Sequence, residues 1–463
     1  MQTRKDLLQA HRLMTQRASQ ALMIGEPDTP ELPLRRLNVA SFSGAMIAVL
    51  VAAGFGIWGL LIPGGAQGLD KPGTIIIEKE TGARYVWCGS GRTLCPVINY
   101  TSAKLLAGTG QPTQRLVSRE SLSGYERGPL IGITGAPDTL PDPSKLVKMP
   151  WSVCVRAIDS PLSGHTPMVT LLAGRDAAGR RLPDDQAILV QADKQPWLLW
   201  QSKRWRVPPQ EVTGLASAAS PAVLAGKWLN ALPEGVDFKA PDIPGRGQTV
   251  QGPQGSAQVG QLYTADTVSG TAWYVLMPDG LAQISEIEGQ LAKLSGNPVK
   301  LTPAALGAAP KHQGSIGSPD LRTKMPTIVP YMDTSPLCAI YDDRTGVAGA
   351  HLTIGGQLPQ PPQNATGGAD SADQLVFPPG RAALVGVLPS AGKLAAVNTY
   401  YLVAQGRRFA LQSADVAQQL GYSLAIDGIP LPANVVQLIP EGPVLDPAAA
   451  KNPVSAGQVL PAG

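Results

Sequence analysis

Hydrophobic and polar positions divide this chain into one long apolar block and a series of short alternating segments. From Ser41 to Ile62 the run SFSGAMIAVLVAAGFGIWGLLI carries no charge and stops at Pro63, Gly64 and Gly65. A helix of that length rises about 33 Å, enough to cross a hydrocarbon core of about 30 Å. The run predicts a membrane span, because a buried core helix rarely goes six turns without a polar position. It is too long and too far from the N-terminus for a signal-peptide core, and no small-residue cleavage site follows it. Ala52 and Gly56 give a small-xxx-small step suited to packing on another helix. Ahead of the span, LLQAHRLMTQRASQALM from Leu7 has amphipathic spacing and meets Pro27. It predicts a basic helix that lies on anionic lipid, packs on a partner, or forms a solvated flank.

Beyond the span the period changes from helical to two. Four segments share one pattern: ARYVWCGSGRTLCPVINYTSAKLLAG from Ala83, QPWLLWQSKRWRVPPQEVTGLASAA from Gln195, GTAWYVLMPDGLAQISEIEGQLAKLSG from Gly270, and VNTYYLVAQGRRFALQSADVAQQLGYS from Val397. Each reads as an aromatic-aliphatic strand, a turn of Gly-Ser, Ser-Lys, Asp-Gly or Gln-Gly type, and a second short strand. A small amphipathic run follows, such as Ser102, Leu105 and Leu106, or Val416 and Leu420. That pattern predicts a β-hairpin followed by a helix. One such unit buries too little alone, so four imply modules docked on something else.

The order of segments suggests a duplication. Cys154 follows Tyr85 by 69 residues and Cys338 follows Trp273 by 65. WSVCVRAID and PLCAIYDD read as cysteine-bearing central strands, and AILVQA and AALVGV as later strands before the second and fourth repeats. The expected fold class is α+β, mostly β. A single N-terminal transmembrane helix precedes a central β domain, with four peripheral hairpin-helix repeats in a pseudo-two-fold arrangement. The expected boundaries are 1–40 for the N-terminal cytoplasmic helix and 41–62 for the span. Repeat 1 covers 75–125, the first half of the central domain 126–190, and repeat 2 covers 191–268. Repeat 3 covers 269–322, the second central half 323–393, and repeat 4 covers 394–463.

Charge sets the expected orientation. Arg4, Lys5, Arg12, Arg17, Arg35 and Arg36 precede the span, whereas the eighteen residues after it hold only Lys71 and Lys79. The positive-inside rule keeps the N-terminus cytoplasmic and exports the rest. That exported part is rich in turn formers, with 51 Gly and 44 Pro in the 463-residue chain and only 16% charged residues. Such a composition suits short strands and many turns. Six basic and four acidic residues precede the span, leaving 32 basic against 30 acidic beyond it. With no basic stripe interleaved with aromatics, nothing suggests nucleic-acid binding and none is expected.

Cys88, Cys95, Cys154 and Cys338 all lie beyond the span. In an oxidising compartment four cysteines read as two disulfides, with three pairings open in principle. Cys88 and Cys95 flank the first hairpin turn, where facing residues reach the separation a disulfide prefers. Cys154 and Cys338 hold equivalent places in the two halves and would meet near a pseudo-axis. The expected pairs are therefore Cys88 with Cys95 and Cys154 with Cys338. A zinc site lacks the CxxC spacing, and His165, His312 and His351 are isolated; the expectation is no metal and no cofactor.

No catalytic constellation is visible, and no catalytic residue is assigned. The nearest approach to a phosphate loop, Gly386 to Leu394, has five residues between its glycines, a proline in the turn and Leu394 after Lys393. A magnesium-binding hydroxyl is missing there. Asp342 and Asp343 read as a solvated turn. Trp87, Trp200, Trp205 and Tyr401 offer a saccharide platform if they stand on the surface, and core residues if they do not.

GTIIIEKETGARYV, PVINYTSAKLL, TSPLCAIYDD and FPPGRAALV, together with the single span, resemble EccB, the B component of the actinobacterial type VII (ESX) secretion machinery. The resemblance runs from the N-terminal helix to the end of the fourth segment. It implies one transmembrane helix, a periplasmic central β domain with four peripheral repeats, and a disulfide between two central cysteines in the contexts of Cys154 and Cys338. The Cys88–Cys95 pair is no general feature of that family. The implied role is a structural subunit in the cytoplasmic membrane. Its implied partners are EccC, EccD, EccE and the mycosin protease, with further copies of itself in the complex. Family members are often labelled ATPases, a label that an exported bulk without a nucleotide loop does not suit. The alternative function is a cell-wall module gripping peptidoglycan.

Overall fold

A computed structural model of the chain describes residues 3–25, 33–61, 69, 71–89, 93–108, 111–160, 164–215, 221–268, 270–293, 296–321, 324–346, 349–361, 368–389 and 397–455. It divides into two compact units: Met1–Leu69 with Glu78–Gly82 and Leu116–Tyr125, and all the rest.

The first unit carries two long α-helices, α1 over Arg4–Ile24 and α2 over Pro33–Leu61. At the start of α1 the Thr3 backbone N–H donates to Asp6 Oδ2 at 3.0 Å, and the Thr3 hydroxyl donates to the same oxygen. These bonds hold the Asp6 carboxyl below the usual carboxylate range. The helix ends at Gly25, which adopts φ 77° and donates its N–H to Ala21 O. A left-handed glycine cap, not Pro27, is therefore the stop. In α2 the stretch Arg36–Leu60 is long and apolar enough to cross a membrane. It starts earlier than the expected Ser41, because Pro33 is well suited to a first helical turn; Ile62 lies outside the described residues.

In the second unit the central sheet has six strands. Their order is Gln374–Val376, Gly164–Leu172, Trp151–Ser160, Leu337–Tyr341, His351–Ile354 and Arg180–Arg181. The two cysteine strands are antiparallel neighbours with Cys154 opposite Cys338. Trp151, Val153, Val155, Leu337 and Ala339 join the main core. The alternate positions Cys154, Cys338 and Ile340 join a second cluster with Leu172 and Ala177. Both faces are covered, so these strands read as continuous apolar runs rather than as an alternation.

Each of the four patterned segments forms an antiparallel hairpin and then a helix. The hairpins are Arg84–Trp87 with Thr93–Val97, Gln195–Trp200 with Lys203–Arg206, Gly270–Met277 with Gly280–Ile284, and Tyr400–Ala404 with Arg407–Ala410. The helices are Tyr100–Ala107, Pro209–Leu215, Glu286–Lys293 and Ala414–Gln419. Four sheets share one order: second hairpin strand, first hairpin strand, the strand before the hairpin, and the strand after the helix. The preceding strands are Thr74–Glu78, Gln186–Ala192, Leu262–Thr267 and Ala383–Leu388. AILVQA and AALVGV therefore pair with hairpins rather than with the central sheet, because a short connection favours the adjacent strand. In the second hairpin the turn is Gln201-Ser202, both at positive φ, and not Ser202-Lys203. Part of the first turn, residues 90–92, lies outside the described residues.

A further extended segment adds to each outer hairpin strand. Gly128, Gly235, His312 and Gly442 donate N–H to the carbonyls of Leu94, Arg204, Leu281 and Arg408, at 3.0, 2.9, 3.0 and 2.8 Å. Helices then pack across the chain. Leu105 of the first helix shares a core with Leu402, Phe409, Val416 and Leu420, and Lys104 Nζ donates to Leu420 O at 2.7 Å. Ile287 and Leu291 of the third helix share a core with Trp200, Trp205 and Phe238.

Candidate functional site

Cys154 and Cys338 are paired at the centre of the six-stranded sheet, fully buried, with Cα atoms 4.0 Å apart. Cys88 and Cys95 are paired within the first hairpin, Cα atoms 5.7 Å apart. They do not face one another directly. Cys95 lies opposite Val86, and the Cys88 N–H donates to Thr93 O, so the pair is diagonal on one face.

Cys95, Trp205, Ala282 and Phe409 hold matching places, one residue after the carbonyl that accepts from the added segment. Gly128, Gly235 and Gly442 are the residues that pass over three of them. A Cβ at Gly235 would come within 2.6 Å of the Trp205 ring, and one at Gly442 would overlap the Phe409 ring. The first module thus fills with a disulfide what the second and fourth fill with an aromatic ring.

The opposite face carries a cation over an aromatic ring. Arg204 lies 5.0 Å from the Trp197 ring centre and pairs with Glu234 at 2.9 Å. Arg408 lies 5.7 Å from Tyr401 and pairs with Glu441 at 3.3 Å. In the first module Arg127 comes from the added segment and lies 4.4 Å from Tyr85. Sequence reasoning missed these groups. The signal was the recurring Pro233-Glu234-Gly235 and Pro440-Glu441-Gly442, each downstream of its hairpin arginine. Of the two readings of the aromatic residues, the core one holds for Trp200 and Trp205. Trp200 and Trp205 are buried, their indole N–H groups donating to Asp184 O and Trp200 O. Trp87 is half-buried, as is Tyr401 beneath Arg408. Burying the large rings of a small module is how it gains a core.

Each histidine beyond α2 has a carboxylate partner. His312 Nδ1 meets Asp279 Oδ1 at 2.6 Å and holds that carboxyl below the usual range. His351 Nδ1 lies 3.5 Å from Asp342 Oδ2. Asp343 turns away, accepting the Thr345 N–H at 2.9 Å, so adjacent aspartates serve different partners. Lys393 lies outside the described residues. Among the described residues no group of three or more His, Cys, Asp or Glu side chains is placed to hold a metal.

His165 bridges two carboxylates, Nδ1 to Asp159 Oδ1 at 2.8 Å and Nε2 to Asp333 Oδ2 at 3.2 Å. The Asp159 bond, then the Asp333 bond, raises its pKa. A raised folded-state pKa gives stabilisation that is whole below the unfolded value of about 6.5 and lost as pH rises through the folded value. The stability gap between this chain and His165→Ala should therefore shrink between about pH 5 and about pH 8. Denaturant midpoints across that range test it, and a gap that widens toward the alkaline end would refute the clasp.

The third module holds a cleft of about 600 Å³, lined by Tyr274, Gln283, Ser285, Leu306, Lys311 and His312 among others. Its neighbour Glu288 is buried, its two oxygens accepting the backbone N–H groups of Ser285 and Ser318 at 3.0 and 2.7 Å.

Comparison with known proteins gives one consistent result. The family described as "Type VII secretion system ESX-1, transport TM domain B" matches residues 1–455. The ESX-1 secretion system ATPase EccB1 of Mycolicibacterium smegmatis is 25% identical, over 97% of this chain and 94% of that protein. The ESX-3 secretion system ATPase EccB3 of the same species is 28% identical, over 89% and 83%. Among solved structures, a chain of an intact ESX-5 inner membrane complex aligns with a TM-score of 0.64 and 22% identity, covering 100% of this chain and 97% of that one. The EccB3 dimer from the ESX-3 core complex aligns with a TM-score of 0.62 and 24% identity, covering 81% of this chain and 99% of that chain. These two likenesses concern the fold.

Proposed function

The chain belongs to the EccB family of type VII secretion systems, and we propose that it serves as a non-catalytic scaffold on the exported side of an ESX-type inner-membrane complex. The observation that carries this reading is the docking of modules across the two halves, the first on the fourth and the third on the second. A duplicated half would produce that exchange about an axis through Cys154 and Cys338, which lie directly opposite in antiparallel register. In the central sheet the third short strand of each half sits beside the second strand of the other half, parallel for Gln374–Val376 and antiparallel for Arg180–Arg181, so the exchange is matched in position and not in direction. The four shared sheet orders support four repeats, each beginning one strand before its hairpin. In an oxidising compartment the two cysteine pairs are disulfides that fix the axis and the first module.

The helix α2 crosses the cytoplasmic membrane once. Its basic N-terminal flank stays inside, and the modules stand outside with EccC, EccD, EccE, the mycosin protease and further copies of this chain as neighbours. Curated relatives carry ATPase in their names. The scaffold reading predicts no ATP turnover by the purified chain, and turnover abolished by Lys393→Ala would overturn it. Mild-detergent extraction followed by mass spectrometry tests membership directly. The chain should travel in a large complex, less completely after deletion of residues 1–26. An impermeant thiol reagent should label an added cysteine at Glu120 and spare one at Thr15. A chain that runs alone from membranes actively secreting ESX substrates would exclude the scaffold.

A further inference from the structure

We propose that the third module takes up an extended, acidic polypeptide segment of another subunit by β-strand addition at Gln283. Comparison of the four modules exposes the vacancy. In the first, second and fourth, the added segment stays paired for a second step. Ile131, Phe238 and Leu445 donate N–H to the carbonyls of Pro96, Arg206 and Ala410, at 3.0, 2.7 and 2.8 Å. Those three donors are buried apolar side chains that pull the segment inward. The matching acceptor in the third module is Gln283, and the matching donor position, three residues after His312, is Ser315. With Ser315 at that position no second bond to Gln283 forms among the described residues. The next residue, Ile316, packs instead on the core of Val275, Ala282 and Ile284, and a cleft of about 600 Å³ is lined by Gln283 together with Gly314, Ser315 and Gly317.

The edge is aimed correctly for a strand. Leu281 bonds Pro310 O and the His312 N–H outward from its own hairpin. Gln283, two residues further along, therefore points its N–H and C=O the same way, into the cleft. Among the described residues no hydrogen bond reaches either group. An incoming main chain can accept from one and donate to the other, the recognised mode of strand addition. Charge selects the occupant. Lys311 stands exposed beside this edge with no carboxylate partner among the described residues. His312 is engaged by Asp279, and Glu288 by two backbone amides. Tyr274 and Leu306 supply an apolar floor, so an acidic residue flanked by apolar ones fits. This inference deepens the scaffold reading and rests on it for the source of the segment; its failure would leave co-extraction of the complex unaffected.

The test uses the full chain in nanodiscs and a fluorescein-labelled, capped pentapeptide, Thr-Val-Glu-Val-Thr, followed by anisotropy. Saturable binding is expected, weakened about tenfold or more when the central amide of the peptide is N-methylated. Lys311→Glu should weaken the acidic peptide and favour its Lys-centred analogue. Gln283→Pro removes an outward N–H without touching the hairpin ladder and should bind about tenfold more weakly. Should that variant not fold, the N-methylated peptide on the unaltered chain decides alone. No saturable binding, or binding indifferent to N-methylation, overturns the proposal.

Discussion

Replacing Cys154 and Cys338 together by alanine should cost about 5 kcal/mol of stability on the chain-entropy account of a long closed loop. The two residues are separated by 184 positions in sequence, so an uncrosslinked unfolded chain regains much of its freedom. Both side chains are wholly buried, and alanine leaves no unpaired hydroxyl behind. The urea midpoint of the full chain in micelles should fall far below that of the parent, and reductant should move the parent toward the variant. Peptide mapping without reductant adds a second reading. Recovery of Cys88 joined to Cys154 would sink the pairing and with it the axis.

The second large effect is expected at Gly442. A Cβ there meets the Phe409 ring, and the added segment has no room to retreat because Gly442 bonds Arg408 and Leu445 bonds Ala410. Overpacking of this kind costs about 1–3 kcal/mol, and the branched side chain of Gly442→Val belongs at the upper end. Combining it with Phe409→Leu should recover part of the loss, since the smaller side chain vacates the contested volume. Gly307→Ala is the control: its Cβ meets nothing within 4 Å and it lies in the helix Pro303–Ala308. Intrinsic fluorescence during denaturation reports all three. Independent effects of Gly442→Val and Phe409→Leu would mean that the two positions do not share one space.

Much of this was legible in residue order alone. The apolar block announced α2, and the change from period two to helical spacing located all four hairpins and their helices. What escaped was pairing at a distance. Strand Gln186–Ala192 carries no mark saying that it joins the following hairpin rather than the cysteine strands, because both neighbours offer apolar faces. The added segments escaped for a different reason. They are irregular chain held by two or three backbone bonds, and Pro-Glu-Gly looks like an ordinary turn until its two occurrences are set beside the hairpin arginines. The aromatic rings left two readings open. Trp205 sits among basic residues in KRWR, which suggests a surface, yet the strand turns that one side chain inward and its neighbours out. The His165 clasp left no trace in the sequence, since Asp333 lies 168 residues away.

The bond from Lys104 to Leu420 spans 316 positions. If the chain crosses the membrane as proposed, from its N-terminal side, the first module is delivered long before the fourth. Until then the inner face of helix Tyr100–Ala107 has no Phe409 or Leu420 to cover it. Contacts this remote form slowly and leave early intermediates adhesive. The first module is also the one clipped by Cys88 and Cys95, a pair only 7 positions apart that can close as soon as it emerges. On the proposed topology, the part of the chain exported earliest thus carries its own local lock for the interval before its neighbour arrives.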